Sequence, residues 1–296
     1  MWAEYLVPKI IRLMKQNESI DYEIKYNLKE KHNELLRILD EFDTICRNNG
    51  IKYSLSYGTL LGAIRHAGFI PWDDDADLMM TREEYNKLLA LPTQNATIEI
   101  IKTTFLDRIS IKTNNPKRLY VDLFLLDFIP KSNFKYKLKR LFSIFLRCYF
   151  VNKKQLQDIK NKYSFFKRIP RFFVWLCSFV VGRVLHLVFW KKSIFKYHDR
   201  KISSVRPGES NKMKTMTDEL SMMKKYTFSS ELFDSYRDEV FCGRKYMCIS
   251  KSKEYLTYVY GDFMTLPNEE DRHPDSHISL SEDKVAEKFS RIIRII

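Results

Sequence analysis

Apolar and polar positions follow regular periods along residues 1–130 and mark out short elements. Apolar side chains recur at helical spacing through Lys29–Asn48, and Asn48-Asn49-Gly50 then supplies a helix stop. Residues 51–57 alternate between apolar and polar positions, which predicts a strand. Gly58 follows directly and opens a short predicted helix, Thr59–His66.

The pattern continues with strands on either side of one capped helix. Thr81 with Glu84 forms a capping box that opens a helix running to Leu91. The predicted strands are Asp77–Met80, Ile98–Lys102, Ile109–Lys112 and the strongly apolar Tyr120–Phe128. This order of helices and strands predicts an α/β or α+β fold, with a mixed sheet and flanking helices.

Both pattern and charge change at residue 131. The segment Lys131–Val205 holds 19 of the 51 Lys and Arg residues but only two acids, so it carries the whole positive excess of the chain. Within it, Ile169–Trp190 is almost continuously apolar and is broken by Arg171, Arg183 and His186. We therefore expect a basic amphipathic helical insert over residues 131–205. Residues 1–130 form the core domain, and residues 206–296 complete it.

An insert of this composition suits an anionic membrane surface, with its basic face toward lipid head groups. The alternative is an ordinary helical insert packed on the core, with its bases in solvent. A helix that crosses the bilayer is disfavoured because the uncharged run Phe172–Gly182 has 11 residues, whereas a span needs about 20 apolar ones. The start of the chain lacks a basic and then apolar leader pattern, so we expect a cytoplasmic protein bound peripherally to the inner face of the cell membrane.

The densest cluster of reactive side chains is Asp73-Asp74-Asp75-Ala76-Asp77. Four carboxylates in five residues repel one another, and a divalent cation such as Mg²⁺ or Mn²⁺ relieves that repulsion while also binding phosphates. Because alternate residues of a strand face the same way, Asp75 and Asp77 project together as candidate catalytic residues and metal ligands. Paired carboxylates of this kind are typical of phosphoryl and nucleotidyl transfer.

A third acid from a neighbouring strand completes such a site in this chemistry. Asp122 is the candidate, because an apolar strand seldom hosts a carboxylate that has no partner. The alternative is a structural acid paired with a core arginine. Asp127, on the same predicted strand, is expected to mark the end of that strand.

The glycine-containing segment before the acids offers groups that could bind phosphate. Gly58 and Thr59 lie at a predicted helix N-terminus, where glycine permits close approach and the helix attracts anions. Arg65 could bind a nucleotide phosphate bidentately; the alternative is an exposed helix arginine. His66 is a further candidate for phosphate binding, although a lone histidine is more often structural.

These segments together carry a family resemblance. Gly58–His66, Gly68–Trp72 and Asp73–Asp77 resemble the signature of the LicD family, which also includes the catalytic regions of fukutin and fukutin-related protein. The strand around Asp122 and the later Tyr260–Pro267 resemble further family blocks in the same order. One departure is Ser250-Lys251-Ser252, where the family pattern suggests a proline-containing turn.

The resemblance implies a nucleotidyltransferase-type fold and transfer of a phospho-alcohol from a CDP-activated donor to a glycan hydroxyl, with release of CMP. By position, Asp75, Asp77 and Asp122 match the metal-binding acids, and Gly58-Thr59 match the phosphate-contacting turn. Three later residues are also implied near the phosphates: Arg272, His273 and His277. Bacterial members attach phosphocholine or a related group to teichoic acid, lipopolysaccharide or capsule precursors.

We therefore expect a transferase that uses a CDP-alcohol, with phosphocholine as the first choice and a lipid-linked or polymeric glycan as the acceptor. Choline, ribitol and glycerol remain open as the alcohol. A metal-dependent glycosyltransferase and a non-catalytic glycan-assembly protein are alternatives. A nucleic-acid partner would account for the charge of the insert but not for the acid cluster, so none is expected.

Overall fold

The computed structural model describes residues 22, 24–92, 97–102, 106–113, 118–151, 165–188, 190–215, 226–274 and 291–295. Its helices are α1 (Lys29–Asn48), α2 (Tyr57–His66), α3 (Arg82–Leu89), α4 (Asn133–Arg147), α5 (Phe165–Val188), α6 (Lys191–Ile202) and α7 (Ser252–Tyr260). Its strands are β1 (Ser54–Leu55), β2 (Asp77–Thr81), β3 (Ile98–Lys102), β4 (Asp107–Ile111), β5 (Val121–Phe128), β6 (Lys212–Thr215), β7 (Phe228–Ser229), β8 (Tyr236–Phe241), β9 (Arg244–Ile249) and β10 (Arg291–Ile295). A short 3-10 turn, Cys148–Phe150, follows α4.

Most strands join one mixed sheet whose centre is β5. Along the main path the order is β1-β2-β5-β4-β3-β10, while β6 pairs with the far end of β5 and β7 pairs with β6. The β2–β5 pair is parallel, and the other pairs of this sheet are antiparallel. β8 and β9 form a separate hairpin that packs beside β1. This mixed sheet with flanking helices confirms the predicted fold class.

The early predicted elements are present, but several bounds differ: α2 begins at Tyr57, α3 ends at Leu89 and β4 runs over Asp107–Ile111. α1 has the predicted bounds, and its apolar stripe is buried in the main core. The strand predicted over residues 51–57 pairs only at Ser54–Leu55, because Tyr57 takes a positive φ of 37° and turns the chain into α2. β3 also has its predicted bounds. One half of the predicted capping box is present at α3, where the Thr81 Oγ1 accepts a hydrogen bond from the Glu84 N–H, while the Glu84 carboxylate accepts from the Lys52 N–H.

The central segment forms helices with a small apolar core of their own. Leu146, Cys148, Tyr149, Leu185 and Ile194 make up this cluster, which is separate from the core under the sheet. α5 approaches the 3-10 turn closely at Gly182, where an added Cβ would lie 2.1 Å from the Cys148 carbonyl oxygen. Glycine is therefore required for this packing.

The length of α5 bears on whether a helix could cross the membrane, which the sequence pattern disfavoured. Of the helices in the described part of the chain, it alone is long and apolar enough, over Ile169–Val188, to cross a membrane by length and composition. Only 11% of that window is buried against the protein. The domain division at residues 130 and 205 stays a prediction, although β6 and β7, which follow the insert, return to the edge of β5.

Candidate active site

The site begins with the register of the parallel β2–β5 pair. Asp77, the first residue of β2, lies opposite Asp122, the second residue of β5. Adjacent strands are about 4.8 Å apart, so the two residues are close neighbours on the sheet. The Asp122 N–H also donates a hydrogen bond of 2.8 Å to the Ala76 carbonyl. Asp77 and Asp122, which the sequence indicated from separate segments and on separate grounds, therefore meet at one end of the sheet.

The remaining acids of the cluster converge on the same place. Burial, together with the charge of Asp75 and a hydrogen bond to it, raises the pKa of Asp73 well above its usual range. Burial also raises the pKa of Asp77, with further contributions from the charges of Asp75, Asp122 and Asp73. Such mutual shifts arise when carboxylates face one another away from water. Asp73 lies outside β2, but its carboxylate is part of this group of facing acids.

A donor set made of crowded carboxylate oxygens has the chemistry that Mg²⁺ or Mn²⁺ prefers. In the described residues, however, no three or more His, Cys, Asp or Glu side chains are arranged as a ready-made metal site. The buried, mutually repelling carboxylates fit a divalent cation by chemistry but are not preassembled around one. The metal role of Asp75, Asp77 and Asp122 remains a prediction.

Gly58 and Thr59 hold Asp77 in place from the start of α2. The Thr59 Oγ1 accepts a hydrogen bond of 2.7 Å from the Asp77 N–H, and the Gly58 N–H donates to the Asp77 carboxylate. An added Cβ at Gly58 would lie 2.7 Å from the Asp73 Oδ2, which leaves no room for any side chain. These contacts place both residues at the acids. These contacts do not test the predicted role of Gly58 and Thr59 in binding phosphate.

Asp122 has a basic partner as well as an acidic neighbour. The Arg108 Nε donates to the Asp122 Oδ1 at 3.1 Å, from the adjacent strand β4. A metal ligand and an arginine-paired acid were the two alternatives for Asp122, and the structure combines an arginine partner with a position beside Asp77. Asp74 is likewise paired, with Lys31 of α1.

Arg65 lies buried at the end of α2 and joins it to a distant loop. Its Nη1 donates to the Phe263 and Thr265 carbonyls at 3.0 and 3.3 Å, and its Nε donates to the His66 Nε2 at 2.9 Å. The alternative of an exposed helix arginine is therefore wrong, since the side chain is 7% exposed. These carbonyl contacts direct the guanidinium to the backbone of the Tyr260–Pro267 block.

The late basic residues are only partly assembled with the acids. The Arg272 guanidinium lies 5.5 Å from the centre of the Trp72 ring, and its positive charge contributes to the lowered pKa of Arg65, after burial and a Tyr260 effect of opposite sign. His273 is exposed and faces the Pro274 carbonyl. His277 lies outside the described residues. Arg272 thus lies near the Arg65 end of the site, and the phosphate-binding roles of all three remain predictions.

A wall of aromatic rings next to the acids was not singled out from the sequence. Tyr57 has ring centres of Phe124, Tyr255 and Tyr226 at 4.7, 6.1 and 6.3 Å. Burial raises the pKa of Tyr255, and the nearby charge of Asp77 adds to this effect. We call Tyr57, Phe124, Tyr226 and Tyr255 the aromatic wall. These residues come from four separate segments, so local spacing could not reveal the cluster.

Comparison with known proteins points to the same family as the sequence resemblance. Residues 50–143 match the family described as LicD/FKTN/FKRP, nucleotidyltransferase domain, a range that holds Gly58, the acid cluster and Asp122. The lipopolysaccharide cholinephosphotransferase LicD of Haemophilus influenzae is 28% identical over 271 residues, which cover 84% of this chain and 96% of that protein.

Two shorter matches are to proteins that carry no functional name. An uncharacterized protein of Rickettsia prowazekii, RP689, is 32% identical over 110 residues, or 34% of this chain and 41% of that protein. A second, RT0683 of Rickettsia typhi, is 39% identical over 61 residues, 20% of each chain. The family match across the acid site and the similarity to LicD over most of the chain both point to the LicD family.

Proposed function

We propose that this protein transfers phosphocholine from a CDP-activated donor to a hydroxyl of a cell-surface glycan precursor and releases CMP. The observation that carries the proposal is the register of β2 and β5, which sets Asp77 beside Asp122 with Asp73 and Asp75 close by. The similarity to a cholinephosphotransferase over nearly the whole chain supports choline as the alcohol and a lipopolysaccharide-type glycan as the acceptor.

The acids fit this reaction by charge and position. Asp75, Asp77 and Asp122 would hold a divalent cation, which neutralises the donor pyrophosphate when bound. Gly58 and Thr59 fix the backbone and carboxylate of Asp77, so its orientation is set before the donor arrives. Preorganised charge of this kind costs no rearrangement during the reaction.

In the proposed step, the acceptor oxygen attacks the phosphorus that bears choline. A new P–O bond forms to the acceptor, and the P–O bond to CMP breaks, so that CMP leaves with the electron pair. Asp122 takes the proton of the acceptor hydroxyl, and the contact from the Arg108 Nε orients its carboxylate. We propose Asp122 for this role because it lies beside Asp77 at the end of the sheet, and a general base has to come within hydrogen-bond reach of the proton that it accepts.

The aromatic wall supports choline over a polyol. A quaternary ammonium has no N–H to donate, and proteins bind it against the faces of aromatic rings. The wall lies next to Asp77 and provides Tyr57, Tyr226 and Tyr255 there. Ribitol or glycerol would instead need several hydrogen-bond partners. We therefore expect Tyr226→Leu to raise the KM for CDP-choline more than Tyr226→Phe, which keeps the buried ring.

Release of CMP provides the direct test. The purified chain is incubated with Mg²⁺, a glycolipid extract and either CDP-choline, CDP-ribitol or CDP-glycerol, and CMP is quantified by chromatography. We expect CDP-choline to be turned over fastest. Asp77→Asn and Asp122→Asn should each lower turnover by about 10³-fold, comparable to removal of a main transition-state contact in other enzymes.

Asp234→Asn is the matched control, because it makes the same chemical change at an exposed acid far along the chain. It should retain full turnover, and all variants should unfold at a similar temperature. Wild-type turnover in Asp77→Asn would contradict the assignment of the acids. Release of UDP from UDP-sugars, with none of CMP, would show a glycosyltransferase instead.

A further inference from the structure

Helix α4 buries Leu146 against the protein but carries a second apolar stripe that faces outward. Phe134, Leu138, Leu141 and Phe145 are spaced by three or four residues, so they fall within an arc of about 60° on the helix surface. All four are exposed, with Phe134 70% and Leu141 62% accessible. In water, burial of such side chains is favoured by about 1.5–3 kcal/mol each.

The inner face of the same helix combines apolar residues such as Leu146 with buried polar and basic groups. Ser143 is buried and lies 2.8 Å from the His198 Nε2 of α6. The Nζ of Lys139 and the Nε of Arg140 are buried on this side as well. A helix that rotated by half a turn would bury the apolar stripe and expose these charges. The observed orientation therefore suits an environment that is apolar on the outer side.

Helix α5 extends the exposed apolar surface. Its accessible apolar residues are Ile169, Phe172, Phe173, Val174, Leu176, Val180, Val184, Leu187 and Val188, and Trp190 follows directly after the helix. The C-terminal half is anchored to the protein, because Gly182 packs on Cys148 and the His186 Nε2 lies 2.9 Å from the Tyr149 carbonyl. The half from Ile169 to Val180 has few buried positions.

We propose that the stripe of α4 and the Ile169–Val180 half of α5 form a monotopic surface that enters one leaflet of an anionic membrane. Arg171 and Arg183 lie near the two ends of this half, so both ends stay at the head groups and the helix lies along the interface. The anchored half of α5 and Arg183 within it oppose passage through the whole bilayer. This inference goes beyond the proposed transfer reaction and does not depend on it.

Charge selects lipid as the occupant rather than a second copy of the chain. Residues 131–205 hold 19 basic residues against two acids, and one of these acids, Asp199, is paired with Arg82 and Lys102. Two such inserts would repel each other, whereas anionic head groups attract them at about 1 kcal/mol per basic residue near the surface. Lys135 and Lys137 are exposed and flank the stripe of α4, where head groups would lie.

Vesicle flotation with the full chain tests the proposal. We expect the protein to float with vesicles of phosphatidylcholine and phosphatidylglycerol, and to bind much less to phosphatidylcholine alone. Raising the salt from about 0.1 M to about 1 M, which shortens the Debye length from about 10 to 3 Å, should weaken binding. The double variant Phe134→Ser and Leu141→Ser should lose more than about tenfold in affinity, since two exposed apolar anchors are removed.

Ile24→Ser with Val240→Ser is the matched control, because these residues are 74% and 43% exposed but lie outside the insert. It should float like the wild type, and both double variants should keep the wild-type melting temperature. Equal flotation of the two double variants would overturn the assignment of α4. Binding that is indifferent to anionic lipid or to salt would overturn the electrostatic part.

Two further measurements separate the remaining occupants. Sedimentation without lipid should give a monomer; a dimer that the stripe variant converts to monomer would mean that a second copy covers this surface. Lipids brominated at shallow or deep chain positions report the depth of Trp175 by fluorescence quenching, with Trp175→Phe as the blank. Quenching should be strongest at depths within one leaflet, and protease access to the insert from both sides of a sealed vesicle would contradict the monotopic arrangement.

Discussion

The sheet domain and the helical insert place apolar and charged residues on opposite sides. In the sheet domain, side chains such as Leu78 and Leu126 are fully buried, and buried charges occur as pairs such as Arg82 with Asp127. In the insert, Phe134 and Leu141 point outward while Lys139 is turned inward. The sheet domain buries its apolar residues in a core, whereas the insert exposes an apolar stripe to its surroundings.

The difference shows that amphipathic spacing alone does not tell which medium a helix faces. α1 and α4 both have apolar residues at helical spacing, yet α1 buries its stripe against the sheet and α4 exposes it. Their charge context differs, because α4 belongs to a segment with 19 basic residues and two acids. Net charge around an apolar stripe was therefore the better guide to the insert than the period of the stripe.

The two regions meet in a buried ion network, whose removal is the largest expected effect on stability. Arg82 holds Asp127 through two bonds of 2.8 Å and reaches Asp199 of α6 at 2.9 Å. Asp127→Ala would leave Arg82 buried without its main partner, at a cost of about 3–5 kcal/mol. Asp199→Ala removes a partly exposed carboxylate and should cost about 1 kcal/mol or less.

Urea denaturation of the two variants measures this difference directly. A much larger loss for Asp127→Ala would show that the sheet domain carries the ion network and that the insert is attached to it. Similar losses for both variants would contradict this and would mean that α6 is as integral to the fold as β5.

A second comparison tests the opposite placement of leucines. Leu126 on β5 is fully buried, and Leu126→Ala should lower the free energy of unfolding by about 2–5 kcal/mol. Leu141 on α4 is 62% exposed, and Leu141→Ala should change it by no more than about 0.5 kcal/mol in the absence of lipid. Thermal and urea unfolding in lipid-free buffer provide the measurement. A large loss for Leu141→Ala would show that α4 packs on protein through its stripe.

A third prediction concerns turnover, and it tests a glycine of the sheet domain that lies against the acids. Gly58→Ala would force a Cβ against the Asp73 carboxylate, so the acids must shift. A displacement of about 1 Å in an active site can cost about 10²-fold in turnover, and we expect a loss of that size in CMP release. Gly50→Ala is the control with the opposite outcome, because Gly50 has a φ of 64° but open space around it. It should cost about 1 kcal/mol of stability and leave turnover unchanged; a fully active Gly58→Ala variant would contradict the geometry.

Much of the sheet domain could be predicted because its signals are local. The bounds of α1 and the cap at Thr81 follow from spacing and from one hydrogen bond within a few residues. Alternation also selected Asp77, and the apolar surroundings selected Asp122. Their pairing depends on the register of two strands separated by about forty residues of chain, which no local pattern encodes.

The parts that the sequence did not reveal all rest on distant contacts. Arg65 binds carbonyls of Phe263 and Thr265, nearly 200 residues later, so its direction could not be read from α2. Asp127 was expected to mark the end of a strand, and it does lie near that end, but its pairing with Arg82 depends on how α3 packs on β5. The aromatic wall likewise comes from segments that only the fold brings together.

The smallest expected effect comes from the inner face of α4. Burial lowers the pKa of Lys139 to about 8, and the charge of Arg82 acts in the same direction while Asp127 and Glu209 oppose it. Between pH 8 and the ordinary lysine pKa of about 10.4, the unfolded chain therefore binds more protons, and stability rises with pH through this window. Lys139→Met should stabilise the protein modestly at pH 7, and its advantage over the wild type should shrink by pH 10.

Urea unfolding of both proteins at the two pH values measures that advantage. Lys135→Met is the matched control, because Lys135 is an exposed lysine on the same helix. The gain at Lys139 should stay below the losses in the core, since this side chain is partly exposed and solvent screens its charge. If Lys139→Met instead weakened the fold at pH 7, the inward ammonium would be a stabilising contact. The orientation of α4 could then be explained by its inner face alone, without an apolar medium outside.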